Sequence, residues 1–158
     1  MSRILLGVTG SIAAYKAADL TSKLTQRGHD VHVVMTRSAT ELVRPRTFSA
    51  ISRNPVHTDL WDPEEACLTE HISLAELPDL ALVAPATANT LGKLANGIAD
   101  EILSTTLLAV TAPVVVAPAM NVHMFEHPAV QANMERLRGF GIRFVEPGEG
   151  YLACGDVG

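Results

Sequence analysis

Polar side chains able to bind an anion or move a proton cluster where the apolar runs of this sequence end. The first cluster is Gly7-Val8-Thr9-Gly10-Ser11-Ile12-Ala13-Ala14. Its small residues allow backbone N–H groups to approach a phosphate at a helix N-terminus, where the helix dipole favours an anion. The spacing is Gly-x-x-Gly rather than the Gly-x-Gly-x-x-Gly of dinucleotide sites. On its own it fits equally a tight strand–helix turn capped by Ser11. The second cluster, Met35-Thr36-Arg37-Ser38-Ala39-Thr40, has hydroxyls and a cation but lacks the acid that would hold a dinucleotide ribose. It suits a mononucleotide phosphate; Arg37 holding the 2′-phosphate of NADP is the weaker option.

The third cluster follows Ala84-Pro85-Ala86 and contains Thr87, Ala88, Asn89 and Thr90. Capping a helix needs one of these polar groups, so three of them favour a ligand contact. The fourth is Ala117-Pro118-Ala119-Met120-Asn121-Val122-His123-Met124-Phe125. Asn121 can donate and accept hydrogen bonds there, while Met120, Met124 and Phe125 read by themselves as packing residues. His71 lies in Thr69-Glu70-His71-Ile72-Ser73-Leu74-Ala75-Glu76, an amphipathic turn in which periodicity alone makes it an ordinary surface residue. Cys154, in the glycine-rich tail around Tyr151, Leu152 and Ala153, stands outside any core pattern, and a chemical role suits its thiol. Of the six histidines only His123 and His127 have i, i+4 spacing, without the Glu of a helical zinc site, so no metal is expected.

These clusters need a scaffold that aligns them. Apolar runs Arg3–Val8, Val31–Met35, Leu80–Ala84, Pro113–Ala117 and Ile142–Val145 read as strands. Helices are expected over 11–26, with Ile12, Tyr15, Leu20 and Leu24 facing inward, and over Thr87–Ala95, Asp100–Ala109 and Pro128–Gly139. Strands alternating with helices imply a doubly wound parallel α/β sheet, a Rossmann/flavodoxin-like three-layer sandwich. Ligands of such sheets bind at the carboxyl ends of the strands. The stretch 38–77 is long and weakly periodic, and the tail from Glu146 reads as a loop.

Composition bounds the rest. The 158 residues make one domain, 47% hydrophobic and 18% charged, with mean hydropathy +0.21, which excludes a disordered chain. The net charge of -5 and the lack of a basic stripe argue against nucleic acid. The apolar runs are too short to span a membrane or serve as a signal peptide. Two cysteines, Cys67 and Cys154, make no disulfide framework, so a cytoplasmic setting is expected. The chain stops at Gly158 without a cap or helix, as a fragment of a longer protein would.

Taken together, Gly10-Ser11-Ile12-Ala13-Ala14, the His71 turn, the segment from Ala84 to Ala95, Pro118-Ala119-Met120-Asn121-Val122-His123-Met124 and Leu152-Ala153-Cys154-Gly155 resemble the flavin-dependent cysteine decarboxylases, in order and spacing. Phe125 stands where that family's Pro-x-Met-Asn-x-x-Met-Trp pattern has Trp. The resemblance implies FMN as cofactor, contacted by Gly10, Ser11, Ile12, Thr36, Ser38, Thr87, Ala88, Asn89, Thr90 and Ala119. It implies His71 as catalytic base, Asn121 as holder of the substrate carboxylate and Cys154 as proton donor. Met124, Tyr151, Leu152 and Ala153 would line the substrate.

The resemblance further implies homotrimers, or dodecamers built from four trimers, and in many bacteria a fused phosphopantothenate–cysteine ligase domain. Ala153-Cys154-Gly155 points within the family to 4′-phosphopantothenoylcysteine as substrate and 4′-phosphopantetheine as product. Direct loss of CO2 from an N-acylated cysteine would leave a carbanion with no electron sink. Hydride removal by the flavin gives a thioaldehyde, whose decarboxylation yields an enethiolate that is then reduced and protonated. The alternatives are a peptidyl-cysteine decarboxylase, a flavin prenyltransferase of similar fold, and a non-catalytic flavodoxin-like FMN-binding protein.

Overall fold

The computed structural model describes residues 1–61, 70–146 and 148. Its sheet contains six parallel strands: β1 (Arg3–Val8), β2 (Asp30–Met35), β3 (Val56–His57), β4 (Leu80–Ala86), β5 (Val114–Pro118) and β6 (Arg143–Phe144), in spatial order β3-β2-β1-β4-β5-β6. The chain builds outward from β1 through β2 to β3, then returns to place β4 on the other side of β1. Strand order therefore reverses between β1 and β4, where Gly7 pairs with Val83.

The expected doubly wound sheet is the one observed, and β1 at its centre is buried on both faces beyond Arg3, which is why it reads as a continuous apolar run. Leu5, Val34, Val83 and Val116 belong to one core layer with Leu91, Leu103 and Met134. Leu6, Val8, Val31, Val33 and Met35 belong to the other with Ala14, Ala17 and Phe48. The alternation of Leu5 and Leu6 between layers is the two-residue period of a strand.

The helices are α1 (Ala14–Gln26), α2 (Arg37–Leu42), α3 (Pro45–Ser52), α4 (Glu70–Glu76), α5 (Ala88–Asn96), α6 (Ile102–Ala109), α7 (Val122–Glu126) and α8 (Pro128–Gly139). Helix α1 starts three residues later than expected, and its inward face differs from the expected one. Ala14, Ala17 and Thr21 are buried, Leu20 and Leu24 are partly so, and Ile12 and Tyr15 are exposed. Small residues let α1 lie close on the sheet. Thr21 enters the layer because its Oγ1 donates to the Ala17 carbonyl at 2.7 Å.

The weakly periodic stretch holds α2, α3 and β3, none of which stands out in the sequence. Helix α6 lies directly on β1: a Cβ on Gly7 would stand 2.7 Å from Leu103 Cδ1. It is capped by Glu101, whose carboxylate accepts the N–H groups of Leu103 at 2.8 Å and Ser104 at 2.6 Å.

Candidate functional site

The carboxyl ends of β1, β2, β4 and β5 bring the four polar clusters to one edge of the sheet, around the reversal of strand order, where open α/β sheets bind ligands. At the end of β1 the chain turns at once. Ser11 N–H donates to the Thr9 carbonyl at 2.9 Å, Ser11 Oγ accepts Ala13 N–H at 3.2 Å, and α1 follows. Ser11 thus caps the turn before the helix rather than the helix itself, whose N-cap is Ala13. Gly10 packs against the end of β2: a Cβ there would stand 2.5 Å from Ser38 Cβ. Only glycine permits that approach.

Thr36 is the N-cap of α2, its Oγ1 accepting Ala39 N–H at 3.3 Å, and its own N–H donates to the Val8 carbonyl at 3.0 Å. That bond ties the second cluster to the first. Ser38 and Arg37 are exposed. Arg37 and Thr40 face an open cleft of about 400 Å³ that Asp59, Trp61, Asp100 and Glu101 also line.

At the end of β4, Thr87 Oγ1 caps α5 by accepting Thr90 N–H at 3.3 Å and exchanges a hydrogen bond with Thr90 Oγ1 at 3.1 Å. Thr90 is buried, Thr87 and Ala88 are half-buried, and Asn89 is exposed. Two of the three polar groups in this cluster therefore serve the cap, and Asn89 is left to face solvent. At the end of β5, Ala119 N–H donates to the Ala86 carbonyl at 3.0 Å, which joins the third and fourth clusters. Asn121 is the N-cap of α7, its Oδ1 accepting His123 N–H at 2.9 Å. Met120 and Phe125 pack against the core, as their composition suggests, whereas Met124 is exposed.

The first turns of α1 and α5 carry no acidic residue, which keeps the positive ends of their dipoles at this edge suited to an anion. Among the described residues no cluster of side chains could hold a metal ion, and no helix is long and apolar enough to cross a membrane.

His71 lies in the first turn of α4, a true helix rather than an isolated turn. It is half-buried, on the same face as the buried Leu74 and Ala75. Because β4 begins four residues after α4 ends, the helix runs toward the amino ends of the strands, and His71 stands at its opposite end, nearer the carboxyl edge. Tyr151, Leu152, Ala153 and Cys154 lie outside the described residues.

Sequence reasoning missed Thr9. It is fully buried, and its Oγ1 donates to the Pro85 carbonyl at 2.6 Å and accepts Thr87 N–H at 3.0 Å. A hydroxyl at the last turn of an apolar strand, just before Gly10, is the only sign of this role in the sequence.

The Flavoprotein family matches residues 1–158. The coenzyme A biosynthesis bifunctional protein CoaBC of Bacillus subtilis (strain 168) is 58% identical over 155 residues, which are 98% of this chain and 38% of that protein. The probable phosphopantothenoylcysteine decarboxylase of Streptococcus mutans is 46% identical over 158 residues, 99% of this chain and 88% of that one.

Among solved structures, the FMN-dependent cysteine decarboxylase SpaF superposes with a TM-score of 0.89 at 39% identity, covering 95% of this chain and 86% of its own. A PPC decarboxylase variant complexed with pantothenoylaminoethenethiol superposes with a TM-score of 0.86 at 31% identity, covering 99% and 88%. The chain thus spans well under half of the bifunctional relative and most of the shorter ones.

Proposed function

The chain belongs to the flavoprotein family, and from that premise we propose that it carries out the FMN-dependent decarboxylation of 4′-phosphopantothenoylcysteine to 4′-phosphopantetheine. The observation that carries this reading is the edge where β1 and β4 diverge. There Gly10 lets the turn after β1 close onto Ser38, from which a Cβ would stand only 2.5 Å away, and α1 and α5 open with no acid in their first turns. A flat ring bearing a single phosphate fits such an edge: the phosphate needs amides and a positive helix end, and the ring needs small neighbours such as Gly10, Ala88 and Ala119. The names of the relatives at 58% and 46% identity support the phosphopantothenoyl substrate over a peptide.

FMN, when bound, supplies the electron sink that makes loss of CO2 from a cysteine derivative possible. The chain's own residues do the rest. Gly10, Ser11, Ile12, Thr36, Ser38, Thr87, Ala88, Asn89, Thr90 and Ala119 form the cradle. Within it Thr36, Thr87 and Thr90 act mainly by holding the loops, because their hydroxyls are engaged in caps. His71 takes the thiol proton of the substrate. An imidazole held within hydrogen-bond reach of the thiol is suited to that transfer. Asn121 presents its amide N–H to the substrate carboxylate while its Oδ1 stays on the α7 amide. Cys154 returns a proton to the product, and Met124, Tyr151, Leu152 and Ala153 cover the substrate.

The chain acts as a single decarboxylase domain in the cytoplasm, assembled as a trimer or as four trimers together. In a longer protein it is followed by the ligase that makes its substrate, an arrangement supported by the bifunctional relatives. The cofactor is tested by heating the purified protein and separating what it releases. FMN is expected; NADP or FAD alone would overturn the reading.

A further inference from the structure

We propose that Thr9 is a positioning residue that sets the spacing of the two loops flanking the flavin site before any flavin arrives. The inference rests on the FMN reading above and names a residue that this reading leaves without a role. Thr9 is completely buried, so its side chain touches neither solvent nor a ligand at the edge. Its hydroxyl nonetheless uses both of its capacities across the reversal point: the O–H donates to the Pro85 carbonyl at 2.6 Å, and the oxygen accepts Thr87 N–H at 3.0 Å. These partners lie 76 and 78 residues away in sequence.

The backbone of Thr9 is part of the first of these loops, its carbonyl accepting Ser11 N–H at 2.9 Å. One residue therefore binds the Gly10–Ser11 turn through its main chain and the Thr87 cap through its side chain. Thr87 passes the constraint on through its Oγ1 to Thr90. The strands themselves do not impose this spacing. Regular pairing of β1 with β4 ends at Gly7 and Val83, before either loop begins. The register between β4 and β5 also shifts between Val83 and Ala86. A ligand held by both loops binds best if their separation is fixed beforehand, since ordering them on binding costs affinity.

Serine retains both hydrogen-bonding roles and valine neither, while valine keeps the shape of threonine. FMN affinity, read from quenching of flavin fluorescence, is expected to stay near that of the unmodified chain in Thr9→Ser and to fall about 10- to 100-fold in Thr9→Val, the cost of two buried backbone groups losing their partner. The thermal midpoints of the flavin-free proteins are measured alongside. A role confined to stability would order the affinities by those midpoints, not by the presence of the hydroxyl. Hydrogen exchange on the unmodified, flavin-free chain gives a second reading that needs no variant to fold: the Thr87 amide is expected to be protected like the amides of β4. Equal FMN affinity in all three proteins, or a Thr87 amide that exchanges freely without flavin, overturns the inference. Failure of the unmodified chain to bind FMN overturns the flavin reading instead, and the exchange result then stands by itself.

Discussion

Gly10 and Ser38 meet so closely that a Cβ on the glycine would stand 2.5 Å from the serine Cβ and 3.3 Å from its carbonyl carbon. The turn after β1 is thereby pressed against the start of α2, and two loops from neighbouring strands become one wall of the candidate site.

Gly10→Ala is expected to force the two loops apart. Overpacking of this kind costs ~1–3 kcal/mol, and the strain falls on the loops rather than on the core. FMN retention through gel filtration should drop about tenfold or more, with a smaller loss of thermal stability. Adding Ser38→Gly removes the clashing Cβ and should recover part of the retention. Full FMN retention by Gly10→Ala alone would show that the close approach does not shape the cradle.

His71→Asn is expected to lower turnover by ~10²–10⁴, the usual cost of removing a general base, while flavin absorbance of the purified protein is unchanged. The histidine lies on α4, outside the loops that would hold FMN, so the two readouts separate. Normal turnover would return His71 to the role of a packing residue beside Leu74 and Ala75.

Asn121→Asp keeps the cap of α7, because aspartate accepts a backbone N–H at an N-cap as well as asparagine does. The change it makes is a charge facing the substrate carboxylate. Two such charges at ~4 Å repel by about 4 kcal/mol at an effective dielectric of ~20, on the order of 10³-fold in binding. Bleaching of the flavin band on adding substrate should disappear while FMN stays bound. Bleaching at the normal rate would exclude Asn121 as the carboxylate holder.

At the opposite edge of the sheet, Asp30 is held below its ordinary value of 3.8, first by the hydrogen bond from Asn54 Nδ2 at 2.8 Å and then by His32. A carboxyl whose pKa is lower in the folded state stabilises the fold above 3.8, and that contribution is lost as pH falls through the folded-state value. Asp30→Asn should therefore lower the thermal midpoint at neutral pH. The gap from the unmodified chain should close in strong acid, where Asp30 is itself protonated. FMN binding should not change. A gap independent of pH would show that the carboxylate charge is not what Asn54 and His32 stabilise.

The parts of this fold that show in the sequence are those in which one local signal suffices. Beyond Arg3, Arg3–Val8 is buried on both faces, and Leu80–Ala86 is buried on one face and half-buried on the other, so both remain unbroken apolar runs. Thr87 precedes a helix and caps it. Two-residue β3 is too short for any periodicity, and α2 and α3 are too brief to show a stripe. Ile12 and Tyr15 mislead because size suggests burial, whereas the close approach of α1 to the sheet admits only Ala14, Ala17 and Thr21. Thr9 is hidden for a different reason. Its meaning lies in partners brought to it by the return of the chain to β4, and no local window contains them.

The decarboxylation itself is the most direct test of the account. The purified chain, loaded with FMN, is incubated with 4′-phosphopantothenoylcysteine under exclusion of other enzymes, and the products are followed by mass spectrometry. Conversion to a species lighter by one CO2, identical to 4′-phosphopantetheine and dependent on bound FMN, is the predicted result. Unchanged substrate in the presence of a chain that holds its FMN would contradict the account.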